Sequence, residues 1–175
     1  TQGYSSAASD VYKRQIQDRL NHMLITNPQR IDYLQRYQQI IAEYNGEQDR
    51  ATIEKTFMEL MDLANSMDEE QQRYVREGFS SDEELSVYDL LFSDNLSRKD
   101  IQAIKKVAVD VLAKVKSKIA ELDHWTDKQE TRATVDNLIR DTLWEELPEC
   151  YDELSISGYR QKIYEYVYTR YKEAA

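Results

Sequence analysis

The sequence predicts an all-α fold, an irregular bundle of about seven to eight helices with no sheet, and three observations carry that prediction. Four glycines and two prolines are all that interrupt 175 residues, too few for the turns that hairpins and barrels need. Apolar residues recur at i, i+3, i+4 and i+7 along most of the chain, the spacing that gathers them on one side of a helix. Residues able to accept hydrogen bonds from a helix's first N–H groups stand just ahead of several of these stripes.

The chain begins with a segment that does not read like the rest. Ser5 to Gln15 is SSAASDVYKRQ, the translation of a transposase adapter used in preparing sequencing libraries. Residues 1–15 are therefore expected to be a non-native, adapter-derived segment that adds no apolar stripe to a core. A single helical domain is expected over 16–175, as the C-terminal part of a longer protein extending upstream. Ile16, Leu20, Met23 and Leu24 then share one helical face. Asn27-Pro28 starts the next helix, because Asn caps and Pro is tolerated in the first turn. Ile31, Leu34, Tyr37, Ile41 and Tyr44 continue it to Asn45-Gly46.

A third helix is expected from about Asp49 through Ile53, Phe57, Leu60, Met61 and Ala64, with a break at Ser66 to Asp68 and a short acidic helix stopped near Gly78. Ser81 caps a short helix carrying Leu85, Tyr88, Leu91 and Phe92, and Ser93 to Asn95 turns the chain. Ser97 with Asp100 opens the longest helix, whose stripe is Ile101, Ile104, Ala108, Val111, Leu112, Val115, Ile119 and Leu122. Asp127 with Glu130 resembles a capping box, and Val135, Leu138, Ile139, Leu143 and Leu147 follow until Pro148 forbids continuation. The short link across Asp123 to Asp127 makes these two helices neighbours. A loop through Cys150 and Ser157-Gly158 leads to a last helix from about Tyr159 to Lys172.

Charge and composition bound the chemistry. The formal charge is -10; removing Asp10, Lys13 and Arg14, together +1, leaves -11 on residues 16–175, which opposes long-range attraction to nucleic acid. One cysteine and two histidines allow neither a disulfide nor a cysteine/histidine zinc site within the chain. No apolar run approaches the ~20 residues of a membrane span, and no secretory signal opens the chain. A reducing cytoplasm is the expected compartment. A two-metal nuclease needs Asp/Glu-x-Lys, and no lysine here has an acid two residues before it. Gly46 and Gly78 do not lead into the Gly-Lys-Ser/Thr of a phosphate-binding loop. Neither a catalytic site nor a cofactor or metal site is expected in these residues. Glu69-Glu70, Glu83-Glu84 and Glu145-Glu146 read as solvated acids, and the run Lys105, Lys106, Lys114, Lys116 and Lys118 reads as the polar side of an amphipathic helix, with contact to DNA phosphates as the alternative.

Two groups of side chains are singled out as candidate sites. Stepping about 100° per residue from Val135 places Trp144 opposite the apolar arc, and the last helix carries Tyr164, Tyr168 and Tyr171 on a second face beside that of Tyr159, Ile163, Tyr166 and Val167. Trp144, Tyr164, Tyr168 and Tyr171 are candidate docking residues, since Tyr and Trp combine contact area with a polar tip. Cover by another helix of the bundle is the alternative. Arg132, at the edge of the apolar arc, with Asp136, Arg140 and Asp141, forms a candidate structural polar network.

Trp125, Thr131-Arg132-Ala133, Ile139-Arg140-Asp141, Leu147-Pro148-Glu149 and Tyr151-Asp152 resemble the C-terminal signature of the restriction (R, or motor) subunit of Type I restriction-modification enzymes, in the HindI-like branch. Asn27-Pro28-x-Arg30, Ile40-Ile41, Tyr44-Asn45 and Val75-Arg76-Glu77-Gly78 fit the same pattern, so the resemblance covers essentially all of Ile16 to Tyr171. It implies a prokaryotic, cytoplasmic parent chain carrying an endonuclease, an ATP- and Mg-dependent DNA translocase and this helical domain. It further implies docking on the methyltransferase (modification) subunit and on motor domains of the same R subunit, with DNA met indirectly. Direct contact with DNA backbone and simple bracing of the motor are the alternatives.

Overall fold

The computed structural model describes residues 6–46 and 49–172. Among these residues the fold is all-α: eight α-helices and a 3-10 turn, with no strand. The helices group into two compact units that divide between Gly78 and Phe79. Gly78 has a φ of +86°, a conformation that a side chain would strain, and its N–H closes a 3.1 Å bond on the Val75 carbonyl.

The first unit holds α1 (Ser6–Thr26), the 3-10 turn Pro28–Arg30, α2 (Ile31–Gly46), α3 (Arg50–Gln71) and α4 (Arg73–Arg76). Asn27 caps the turn through its side chain, 3.1 Å from Gln29 N, and Asp49 caps α3, 2.7 Å from Thr52 N. Ile16, Leu20 and Met23 of α1, Tyr37 and Ile40 of α2, and Leu60, Leu63, Ala64 and Met67 of α3 close into one core.

Two expectations are corrected here. No break occurs at Ser66 to Asp68; α3 runs on to Gln71 because Leu63, Met67 and Glu70 continue its buried face, and the Ser66 hydroxyl bonds back to the Asp62 carbonyl at 3.0 Å. Nor is the stretch 6–15 without part in the core. Helix α1 reaches back to Ser6, Ser9 is buried, and Tyr12 packs on the core with its ring 5.4 Å from that of Phe57.

One buried ion cluster also orders this unit. Arg30, with its side chain 2% exposed, donates to Glu70 at 3.0 Å, and Arg73 donates to the same carboxylate at 2.9 Å. Burial pushes Glu70 up, and the hydrogen bonds and charges of Arg73 and Arg30 outweigh it, leaving the carboxyl below its usual range.

The second unit holds α5 (Asp82–Leu91), α6 (Arg98–Glu121), α7 (Gln129–Glu146) and α8 (Glu153–Arg170). Ser81 and Ser97 cap α5 and α6 as the sequence reading had it. The long stripe of α6 is buried at Ile104, Ala108, Val111, Leu112, Val115 and Ile119, with Val107 beside them, and α6 packs on α5 and on the Val135, Ile139 and Leu143 face of α7. The Asp127–Glu130 capping box does not form: Lys128 holds the N-cap position of α7 with no side-chain bond, and Thr131 bonds instead to the carbonyls of Trp125 at 2.6 Å and Lys128 at 3.0 Å. Helix α8 starts six residues before the expected Tyr159, because Asp152 accepts from Ser155 N at 2.7 Å; Gly158 is carried inside the helix.

Candidate functional site

An open groove of the second unit lies between α7 and α8. Trp144 is 59% exposed, on the side of α7 away from the Val135–Ile139–Leu143 face, as its angular position requires. Beside it an open groove of about 320 Å³ is lined by Arg140 and Trp144 of α7 and by Glu153, Ile156, Ser157 and Arg160 of α8. Ile156 is buried, while Leu154, on the same first turn of α8, is 85% exposed. Arg160 donates to Asp136 at 2.7 Å, which pins the two helices together beside the groove.

The four polar candidates do not make one network. Arg132 donates to the Thr126 carbonyl at 2.6 Å and so ties α7 to the link before it, which satisfies a guanidinium at an apolar edge. Asp136 pairs with Arg160 of α8 rather than with Arg132. Arg140 and Asp141 pair with one another at 2.9 Å on the surface. Spacing at i, i+4 within one helix could not reveal a partner on α8.

The tyrosine stripe is half-buried, packed in part against Trp125, rather than an open second aromatic face. Trp125, 1% exposed, meets Tyr164 and Tyr168 edge-on at 6.3 and 5.8 Å and donates from Nε1 to the Tyr171 carbonyl at 3.0 Å. The Tyr171 hydroxyl donates to Glu83 at 2.8 Å; Lys116 and Arg170 donate to the same carboxylate at 2.9 and 3.2 Å. Burial pushes Glu83 up, but the donors, led by Lys116 and Tyr171, hold it below the usual glutamate range; burial and the Glu83 charge together push the Tyr171 hydroxyl up. Of the four docking candidates, Trp144 alone is exposed.

The lysine run is largely occupied. Lys114, Lys116 and Lys118 pair with Glu146, Glu83 and Glu121 at 3.3, 2.9 and 3.0 Å, and Lys105 lies over the Tyr88 ring at 5.7 Å. Glu146 and Glu83 each belong to one of the adjacent acid pairs of the sequence, and Glu121 stands alone. Among the described residues no group of three or more His, Cys, Asp and Glu side chains could hold a metal, and no helix is long and apolar enough to cross a membrane. Cys150 is exposed.

Glu153, Ser157 and Arg160 were missed as groove residues because the last helix was expected to start at Tyr159. The signal was present: Asp152 stands just past the Pro148 stop, in the position of an N-cap, with Glu153 in the first turn behind it.

Folded this way, the chain is all-α, with an open interhelical groove between α7 and α8 of its second unit. Residues 3–156 match the family described as Type I restriction enzyme HindI endonuclease subunit-like, C-terminal, and the chain belongs to that family. The match begins within the segment read as adapter-derived and ends at Ile156, so it contains Trp125, Arg140, Trp144 and Glu153, while Arg160 and the three tyrosines lie past it. Neither the curated proteins nor the solved structures give a match.

Proposed function

We propose that residues 16–175 act as the C-terminal helical assembly domain of a Type I restriction endonuclease R subunit, docking its motor and nuclease onto the methyltransferase (modification) subunit. Family membership supports the enzyme class on this reading. The observation that carries the docking role is Trp144: a large aromatic, 59% exposed, at the rim of a groove, in a unit whose other tryptophan is buried. Exposed Trp beside a groove is a common anchor of protein interfaces. ATP, Mg and the DNA-cutting chemistry belong, on this reading, to other parts of the subunit, and DNA is reached through the assembly, in the prokaryotic cytoplasm.

The test is capture. The chain should retain a purified modification subunit encoded beside it in the absence of DNA, and Trp144→Ala should weaken that capture at least tenfold without lowering the melting temperature. Unaltered capture by Trp144→Ala, or salt-sensitive DNA binding with no capture at all, would overturn the reading. Direct contact with DNA backbone is disfavoured by the pairing of Lys114, Lys116 and Lys118 with carboxylates and by the net charge of -10.

A further inference from the structure

The groove beside Trp144 has a direction. Helices α7 and α8 are joined across residues 147–152, a link short enough to make them antiparallel neighbours, and the Asp136–Arg160 bond fixes their register. Four residues further along α7, Arg140 therefore lies level with Ile156 and Ser157; four more bring Trp144 level with Glu153. Each step is about 6 Å along the helix. One end of the groove thus carries the indole and a carboxylate. The other carries two guanidiniums, over a floor that includes the buried Ile156.

The charges at the two ends are not equivalent. Arg140 is held by Asp141 in a pair open to solvent, its side chain 53% exposed, whereas Arg160 pairs with Asp136 in a half-buried contact. A pair as exposed as Arg140–Asp141 is weak, and a competing carboxylate can join or displace it, while Arg160 keeps Asp136 and offers its remaining N–H groups. Glu153 is the lining carboxylate, and it stands at the aromatic end.

We propose, on the docking reading above, that the groove receives a segment of the partner protein presenting an apolar side chain to Trp144 and, about one helical turn further on, a carboxylate to Arg140 and Arg160. The apolar group covers the indole and reaches Ile156, while the carboxylate takes the planar two-point contact that guanidiniums offer. Glu153 repels the segment's carboxylate from the aromatic end, which fixes the direction in which the segment lies. A nucleic-acid strand fits less well, because its successive phosphates would meet Glu153, Asp141 and Glu145 as well as the arginines.

The experiment uses the whole chain and two stapled helical peptides that differ at one position, Leu and Glu four residues apart against Leu and Lys four residues apart, with single-stranded oligothymidine as a third probe. Binding is read from amide shifts of residues 136–160. The Leu/Glu peptide should bind at least tenfold more tightly than the Leu/Lys peptide, and Arg140→Glu should reverse that order while leaving the melting temperature unchanged. Equal affinity for the two peptides, binding of neither, or oligothymidine displacing the Leu/Glu peptide would overturn the proposal. Capture of the modification subunit separates the two readings. If Trp144→Ala weakens capture and Arg140→Glu does not, docking stands and the carboxylate assignment falls. If the peptides are discriminated but the modification subunit is not captured, the assignment stands and the named partner falls.

Discussion

The hydroxyl of Tyr171 donates a 2.8 Å hydrogen bond to Glu83, fastening the end of α8 to the first turn of α5. The carboxylate also holds Lys116 and Arg170, so one acid closes the second unit across α5, α6 and α8. Its folded pKa lies below its usual value, because the donors outweigh burial. A depressed carboxyl contributes stability that is present above the unfolded pKa, about 4.5, and is lost as pH falls through the folded one.

Chemical melts between pH 7 and pH 3 should therefore show the second unit weakening below about pH 4.5, and Glu83→Gln should flatten that slope while costing about 1.5–3 kcal/mol at neutral pH. Parallel pH curves for the two proteins would show that the cluster is not what senses acid.

In the first unit, Arg30→Ala should be severe. The substitution leaves Glu70 buried with Arg73 alone beside it, and breaking a buried ion pair costs about 3–5 kcal/mol. Hydrogen exchange should rise over the end of α3, residues 63–71, and stay unchanged over 104–119 in α6. Exchange rising equally in both would mean that the cluster supports more than its own unit.

Removing residues 1–15 should lower the stability of the first unit by about 1–2 kcal/mol. It takes away the Tyr12–Phe57 contact and the Lys13 carbonyl that the Tyr37 hydroxyl bonds at 3.3 Å. Coincident thermal melts would restore the expectation of a passive segment.

Much of the fold is legible in the sequence, and the reasons are local. Caps such as Ser81 and Ser97 and the eight-residue stripe on α6 act within one helix, so spacing alone exposes them. The same logic predicts that Val111→Asp, at a position 1% exposed, unfolds the second unit by burying a charge. What stayed illegible depends on distant partners. Tyr164, Tyr168 and Tyr171 look like a spare face until Trp125, some forty residues earlier, is folded beneath them. Trp125 lies in the link between α6 and α7, outside either stripe, so periodicity assigns it no side. Arg160 and Glu153 were hidden for a different reason: a boundary set six residues late turned the first turns of α8 into loop.

The two tryptophans give the last prediction, because the structure gives them opposite surroundings. Trp125 is 1% exposed, edge-on to Tyr164 and Tyr168, and bonded through its indole N–H; removing it leaves a cavity and an unmet Tyr171 carbonyl. Trp125→Ala should cost about 3–5 kcal/mol. Trp144 is 59% exposed, and its removal opens no cavity, so Trp144→Ala should change stability by no more than about 0.5 kcal/mol. Fluorescence separates them in the same samples: acrylamide should quench the Trp125→Phe protein, which reports Trp144, far more strongly than the Trp144→Phe protein. A loss of more than about 2 kcal/mol on Trp144→Ala would place that indole in the core. The surface that meets a partner would then have to be sought elsewhere on the unit, with the exposed Leu154 and Phe92 the first side chains to replace.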